Sequence, residues 1–342
     1  MQDAARIARK LAALEGMGLE RVDLSPTTTE ARGIDRKTFQ VTSSRPAMGT
    51  LVSVTAIGRT RDESEQAVGR AFEEMDRLIA ILSRYDTSSA VTCLNDAGKL
   101  DGAPPEFSRV LSRSMYYHWL SGGAFDISVE PLVNLFRERL DGTVPSEPSR
   151  AEIAEALGLV GSQNIVVGSR SAHFARSGMG ITLDGIAKGY IVDAIAGELE
   201  RCGIGSYLIN AGGDIRTAGS KPGRKPWTVA VQDPSKRGSF PDTVHLTDGA
   251  VATSGSYEIY FDRDKLFHHV VNSRTGRSPD LSQSVSVQAP SAMAADALAT
   301  GVFVMEPRKG IEFIDSLPGC ECLIIDDEGC QLRSRSWRSA AL

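Results

Sequence analysis

The chain has 342 residues, of which 41% are apolar, 24% are charged and 6% are aromatic. This length accommodates one large domain or two ordinary ones, and the apolar fraction is sufficient for a sizeable core. The chain carries 43 acidic and 38 basic residues, for a net charge of -5, which excludes a general electrostatic attraction to nucleic acid or to anionic membranes. Nucleic acid is therefore not expected as a partner, and any smaller polyanion would have to be bound by locally placed positive charge.

The sequence predicts no transmembrane segment, because no stretch reaches about 18 consecutive apolar residues. Charges interrupt the first 20 residues every few positions, so the apolar core of a signal peptide is missing there. The five cysteines form no CxxC pair, which argues against a disulfide framework and against a structural zinc site. We expect free thiols and a cytoplasmic protein; the alternative is a periplasmic or membrane-anchored protein from which a signal was removed.

Three parts are predicted along the chain. Residues 1–45 are a polar N-terminal lead-in, packed on a domain edge or only partly ordered. Residues 46–327 have the pattern of one globular unit, and residues 328–342 form a basic, peripheral tail.

The first elements of the globular unit have clear boundaries. Alternating apolar and polar residues over 50–57 predict a half-buried strand. A helix then begins at Thr60, since Glu63 stands at the spacing of a capping box. Apolar residues recur at intervals of three and four over 68–82, which gives the helix one apolar face, and turn-forming residues over 85–89 end it.

The later elements alternate without the regular strand–helix order of a doubly wound sheet. A second helix is predicted from Ile186 to just before Gly203, and a third, almost wholly apolar, from its cap Ser291 to about Met305. Strands are predicted at 207–210, 227–231, 270–272 and 284–288. This pattern favours a mixed α+β architecture.

One glycine-rich stretch is a candidate anion site. Gly185 to Gly189 opens the second helix and carries Lys188, so backbone N–H groups, the helix dipole and an ammonium group can meet a phosphate there. The stretch is neither a dinucleotide fingerprint nor a P-loop. The alternative is an ordinary turn with close packing contacts.

A single charge on the apolar third helix is a candidate metal ligand. Asp296 is followed one turn later, on the same face, by Thr300. A buried carboxylate is costly unless it is paired or bound to a metal, and carboxylate and hydroxyl oxygens suit Mg²⁺. The alternative is an aspartate that accepts hydrogen bonds from a neighbouring backbone end.

Other candidates are weaker when taken alone. His268 and His269 precede a predicted strand, and alternation would turn one of them into a site, where it could act as a general base. The alternative is a pair at a strand edge with one side chain in solvent. Met48 and Tyr85 could stack on a flat ring but are also ordinary core or surface residues.

Eight motifs, taken together and in order, resemble those of the FAD:protein FMN transferases, the ApbE-type flavin transferases. They run from about Pro46 to Met305 and read AMGT, LSRYDTSS followed by LN, GGAFDISVEPLVNLF, LDGIAKGYIVD, LINAGGDIRTAG, ATSGSYEIYF, HHVVNSRTGRSP and APSAMAADALATG. Each motif is unspecific by itself, but their shared order and spacing make the match strong.

The resemblance implies an α+β fold related to the tunnelling fold, with mixed sheets and packed helices. It also implies Mg²⁺-dependent transfer of FMN from FAD, through a phosphoester, to a threonine or serine of a target flavoprotein, with release of AMP. The expected partners are FAD and an acceptor flavoprotein that carries a DGxT- or SGxT-like motif. Residues 46–327 would then be the catalytic domain.

The roles of single residues follow from the same resemblance. The carbonyl of Gly185, together with Asp296 and Thr300, would hold Mg²⁺, and the catalytic residues would be His269 and Asp296. FAD would contact Met48, Tyr85, Ala124, Phe125, Asp126, Thr182, Lys188, Ser254, Gly255 and Val270.

Three departures from the family pattern bear on the metal and FAD sites. Thr182 stands where many relatives have a carboxylate, Asn272-Ser273 replaces an Asp-Pro pair, and Ala299 stands where some relatives have a further acidic ligand.

Two other activities are consistent with the motifs: Mg²⁺-dependent hydrolysis of FAD to FMN and AMP, and flavin binding without catalysis.

Overall fold

The computed structural model describes residues 27–140, 146–231, 234, 240–256 and 270–340. The strands are β1 (Thr28–Asp35), β2 (Thr38–Ala47), β3 (Thr50–Gly58), β4 (Lys99–Asp101), β5 (Ile165–Val167), β6 (Ser171–Phe174), β7 (Ser206–Ala211), β8 (Asp214–Ala218), β9 (Trp227–Val231), β10 (Asp242–Leu246), β11 (Gly249–Gly255), β12 (Ser282–Ala289), β13 (Glu321–Asp326) and β14 (Gln331–Arg333). The α-helices are α1 (Arg61–Leu82), α2 (Ala90–Ala97), α3 (Pro105–Leu120), α4 (Glu130–Leu140), α5 (Arg150–Leu157), α6 (Ala187–Arg201), α7 (Ala292–Phe303) and α8 (Pro307–Asp315). The α+β class is confirmed.

A nine-stranded sheet organises the fold, in the order β1-β2-β3-β7-β8-β11-β12-β13-β14. Each neighbouring pair in this sheet is antiparallel. Two small sheets accompany it: the β9–β10 hairpin and the three strands β4-β6-β5. The long connection from β3 to β7 contains six of the described helices, so much of the helical layer is inserted into the middle of the sheet order.

Helices cover one face of the large sheet and the β9–β10 hairpin covers part of the other. Strand β11 illustrates this arrangement, because successive side chains of a strand point to opposite faces. Ala250 and Ala252 pack in the main core with the helices, whereas Val251 packs with the hairpin and with Trp337. A third apolar cluster joins α4, α5 and Val271.

The helix starts predicted from capping residues are confirmed. The Thr60 side chain accepts a hydrogen bond from the Glu63 backbone N–H, and Ser291 caps α7 by accepting from the Ala294 N–H. Helix α6 begins at Ala187 and ends at Arg201, as the glycines on either side predicted. Among the residues that the structure describes, no helix is both long enough and apolar enough to cross a bilayer.

The strand predicted over 270–272 is wrong. This segment has no regular structure and leads into a turn, in which Asn272 Oδ1 accepts hydrogen bonds from the backbone N–H groups of Arg274 and Thr275. The two valines before the turn are buried because they pack into two apolar clusters, not because they belong to a sheet.

Two strands lie in the stretch that the sequence assigned to the lead-in. β1 and most of β2 precede residue 46 and form one end of the large sheet. Nearly all of β1 is exposed on both faces, as expected of an edge strand. At the other end of the chain, the tail predicted to be peripheral contributes Trp337 to a buried cluster.

Candidate functional site

A cleft opens where α6 and α7 meet the end of β11. Ten of the predicted site residues line it: Ala124, Phe125, Asp126, Thr182, Gly185, Lys188, Ser254, Val270, Asp296 and Thr300. The fold therefore brings together residues from five separate predicted motifs.

The position of Asp296 depends on a close contact between α6 and α7. The backbone N–H of Gly189 donates to Asp296 Oδ2 at 2.9 Å. A Cβ atom on Gly189 would lie 2.4 Å from the carbonyl oxygen of Ala292 and 2.8 Å from Asp296 Cβ. Only glycine allows the two helices to approach this closely, so the last glycine of the predicted anion loop serves helix packing.

A second aspartate fixes the start of α7. Asp193 on α6 accepts hydrogen bonds from the backbone N–H groups of Ala292 (2.8 Å) and Met293 (2.9 Å), which have no partner within their own helix. Burial raises the pKa of Asp193, while these two N–H groups oppose the rise. Asp193 and Gly189 together orient the helix that carries Asp296 and Thr300.

Gly185, Ser254 and Thr300, which carry oxygen atoms suited to a hard cation, lie against one another at one corner of the cleft. Gly185 lies directly against Thr300, since a Cβ on Gly185 would be 2.8 Å from Thr300 Oγ1. Ser254 Oγ is 3.3 Å from the same hydroxyl oxygen, and Asp296 lies one helical turn before Thr300. Carboxylate, hydroxyl and carbonyl oxygens are the ligands that Mg²⁺ takes, so this donor set fits the predicted metal. Within the described ranges, no group of three or more histidine, cysteine and acidic residues could hold a metal.

The described residues that line the cleft carry more negative than positive charge. The acidic side chains are Asp126, Asp184, Asp214 and Asp296, and the basic one is Lys188. Lys188 Nζ lies 3.4 Å from Asp214 Oδ2. A pyrophosphate would be repelled by such a wall unless a cation entered with it. The charge balance thus favours a site for a metal–phosphate complex over a site for a phosphate alone.

Asp126 has a structural use that the sequence did not indicate. Its carboxylate accepts hydrogen bonds from the backbone N–H and hydroxyl of Ser128 and from the hydroxyl of Ser162, and it lies 3.2 Å from His118 Nδ1. Burial would raise the pKa of Asp126, but the bonds from His118 and the two serines lower it overall. The Asp126 carboxylate therefore anchors the Ala124–Asp126 loop, and its contact with FAD stays a prediction.

Three charged residues beside the cleft were not predicted. Arg84 forms ion pairs with Glu130 (Nη1 to Oε2, 2.8 Å) and with Asp184 (Nε to Oδ2, 3.0 Å). The side chains of Arg84 and Glu130 are 9% and 10% exposed, so the pair is almost fully buried. Glu130 could have been noticed in the sequence, because it is the one charged residue in the largely apolar run ISVEPLVNLF. Its partner could not be read from the sequence.

The remaining predicted residues lie at or beyond the edge of the cleft. Gly255 ends β11 next to Ser254, and Met48 lies in the β2–β3 turn with a positive φ of 51°. Tyr85 is 54% exposed, whereas the Phe125 side chain is buried and its ring packs against Tyr117 in a T-shaped contact. His269 lies outside the described residues, and its predicted role is untested.

Comparisons with known proteins identify the family to which the chain belongs. The profile of the ApbE family matches residues 48–324. An Escherichia coli protein named FAD:protein FMN transferase is 29% identical over 345 residues, which cover 98% of this chain and 95% of that protein. The crystal structure of the ApbE protein from Thermotoga maritima has 31% sequence identity and a TM-score of 0.79, covering 87% of this chain and 97% of the other. The flavin transferase ApbE from Vibrio cholerae has 26% identity and a TM-score of 0.75, covering 90% and 98%.

Proposed function

The chain belongs to the ApbE family, and we propose that it transfers FMN from FAD to a hydroxyl group of an acceptor flavoprotein in a Mg²⁺-dependent reaction. The observation that supports the metal dependence is the contact of Gly185, Ser254 and Thr300 at one corner of a cleft that is also lined by Asp296 and other carboxylates. Such a corner is suited to a hard cation that accompanies a pyrophosphate.

The reaction is a phosphoryl transfer with a simple balance of bonds. The oxygen of an acceptor threonine or serine attacks the FMN phosphorus, a new P–O bond forms, and the P–O bond to the AMP portion breaks. AMP leaves with the bridging oxygen, and the hydroxyl proton goes to a base, for which His269 is the candidate. Mg²⁺, when bound, supplies charge neutralisation on the pyrophosphate and improves AMP as the leaving group.

The residues of the chain contribute mainly by positioning. Lys188 adds a positive charge at the cleft wall. Gly189 and Asp193 hold α7 in place, so that Asp296 and Thr300 face the same space. Preorganised charges of this kind account for much of the rate in phosphoryl transfer.

The proposal is tested by incubating the protein with FAD, MgCl₂ and an acceptor domain that carries a DGxT or SGxT motif. We expect the acceptor mass to rise by one covalently bound FMN while an equal amount of AMP appears. Replacement of the motif threonine or serine by valine in the acceptor is the matched control and should abolish the mass gain. EDTA should abolish both products.

Two other outcomes would contradict the proposal. FMN and AMP released in equal amounts with an unmodified acceptor would identify a Mg²⁺-dependent FAD pyrophosphatase. FAD that stays intact under all conditions would indicate a flavin-binding protein without catalysis.

A further inference from the structure

Arg84 connects three parts of the molecule that meet beside the cleft. It follows α1 and reaches Glu130 at the start of α4, Asp184 in the segment before α6, and its own neighbour Tyr85. Its Nη2 donates to the Tyr85 hydroxyl at 3.1 Å, and its guanidinium carbon lies 5.0 Å from the centre of the Tyr85 ring. One rigid, planar group therefore holds two segments that the family resemblance assigns to FAD and metal binding.

Burial makes this arrangement sensitive to the loss of any member. Burial raises the pKa of Glu130, and the nearby Asp184 raises it further, while Arg84 opposes the rise. A buried carboxylate without its arginine is strongly destabilising, because its charge is left uncompensated away from water. Arg84 is thus fixed by Glu130 on one side, and on the other its Nε lies 3.0 Å from Asp184 Oδ2 as an ion pair without hydrogen-bond geometry.

Asp184 is the residue through which Arg84 reaches the cleft. Its side chain is 41% exposed and lines the cleft, and it directly precedes Gly185, whose carbonyl is the predicted metal ligand. The segment is also tied at Thr182, whose N–H donates to the Ile127 carbonyl and whose Oγ1 accepts from the Asp184 N–H. The ion pair with Arg84 is the side-chain tie that completes this fixation.

We propose that Arg84 is a positioning residue for the cation site: it holds the Asp184–Gly185 segment against Thr300 and orients Tyr85, without itself contacting the cation. The inference rests on the proposed function for its ligands, Mg²⁺ and FAD. Arg84 acts by fixing the geometry of the site and not by supplying positive charge to it.

Charge and geometry are separated by the double variant Arg84→Met/Glu130→Gln. It removes one positive and one negative charge, so the net charge beside the cleft is unchanged, and it leaves no buried carboxylate without a partner. The single variant Arg84→Lys keeps the charge but loses the planar fork. Arg77→Met is the matched control, because Arg77 lies on α1 a few residues before Arg84 but pairs with Glu74 and Glu106 at an exposed position.

The measurement is the Mg²⁺ concentration that gives half-maximal strengthening of FAD binding, followed by FAD fluorescence with no acceptor present. Loss of a group that orients a metal ligand typically weakens metal affinity by about 10–100-fold. We expect an increase of about tenfold or more in both Arg84 variants and none in Arg77→Met. Thermal unfolding confirms that each variant is folded, and the double variant replaces Arg84→Lys if the latter is not.

Asp184→Asn tests whether Arg84 acts through Asp184. In the wild-type background it should raise the Mg²⁺ concentration for half-maximal strengthening of FAD binding. In the double variant it should have little further effect, because substitutions of residues that act as one unit are not additive. Unchanged Mg²⁺ dependence in both Arg84 variants would overturn the inference. A full additional effect of Asp184→Asn in the double variant would also overturn it, since Asp184 would then act independently.

These outcomes are separate from those of the transfer assay. If the wild-type protein binds FAD in a Mg²⁺-dependent way but modifies no acceptor, the proposed transfer fails while the role of Arg84 is still measured. If Mg²⁺ has no effect on FAD binding by the wild-type protein, the role of Arg84 is overturned together with the metal dependence.

Discussion

Two buried aspartates on different sides of the large sheet have opposite surroundings. Asp242, at the start of β10, receives hydrogen bonds from Trp337 Nε1 (3.0 Å), Ser339 Oγ (2.7 Å) and Arg333 Nη2 (3.2 Å). Burial would raise the pKa of Asp242, but these donors lower it overall. Its carboxylate joins the β9–β10 hairpin to the C-terminal segment, which is a role in the stability of the fold.

Asp296 lies in a region where acidic groups accumulate. Other carboxylates line the same cleft, and burial raises the pKa of Asp193, which holds the start of the Asp296 helix. The described residues that line this region include four aspartates and one lysine, so negative charge exceeds positive charge there. Burial alone therefore does not mark a functional aspartate. What distinguishes Asp296 from Asp242 is the excess of negative over positive groups around it.

The largest expected effect is on catalytic turnover, where substitutions of the two aspartates should differ. Asp296→Asn keeps the shape of the side chain but removes its charge, and we expect Mg²⁺-dependent turnover to fall roughly a thousand-fold, because metal stabilisation amounts to several kcal/mol. Asp242→Asn should leave turnover within about twofold, since it changes no residue of the cleft. Acceptor labelling and AMP release measure both, and equal losses in the two variants would remove the distinction.

A second test addresses the close approach of α6 and α7. Gly189→Ala places a Cβ within 2.4 Å of the Ala292 carbonyl oxygen, and we expect a loss of about 1–3 kcal/mol in the free energy of unfolding. Gly197→Ala in the same helix meets no atom within 4 Å and should stabilise the protein by about 0.5–1 kcal/mol. Denaturant unfolding measures both, and equal changes would show that the helices can separate without cost.

A third test concerns the stability that Asp242 provides and its dependence on pH. Because its pKa is lowered in the folded state, its contribution is present above the ordinary value of 3.8 and is lost as the pH falls through the folded-state pKa. Asp242→Asn should reduce the free energy of unfolding at pH 7 by about 1–3 kcal/mol and less at low pH. Urea unfolding at several pH values measures this, and a deficit that stays constant down to acidic pH would contradict the assignment.

Much of the fold and site was predictable because the relevant signals are local. The capping residues Thr60 and Ser291 marked two helix starts, and the lone charge on the apolar helix α7 marked Asp296. These signals depend on residues a few positions apart. The order of the eight motifs then brought together residues that are distant along the chain.

The parts that were missed depend on distant partners or on weak patterns. β1 is exposed on both faces, so it has no alternation of apolar and polar residues to reveal it. The valines at 270 and 271 show the opposite case, because apolar β-branched residues suggested a strand where packing alone buries them. The ion pair of Arg84 with Asp184 joins residues 100 positions apart, and nothing local predicts it.

The insertion of helices between β3 and β7 has a consequence for how the protein acquires its cleft. The wall formed by the Ala124–Asp126 loop and the wall formed by α7 are separated by more than 150 residues of chain. Closing loops of this length costs entropy before any contact compensates for it, and folds rich in such contacts form slowly. The β3–β7 pair closes a connection of similar length, so we expect the large sheet and the acidic cleft to be completed together, late in folding.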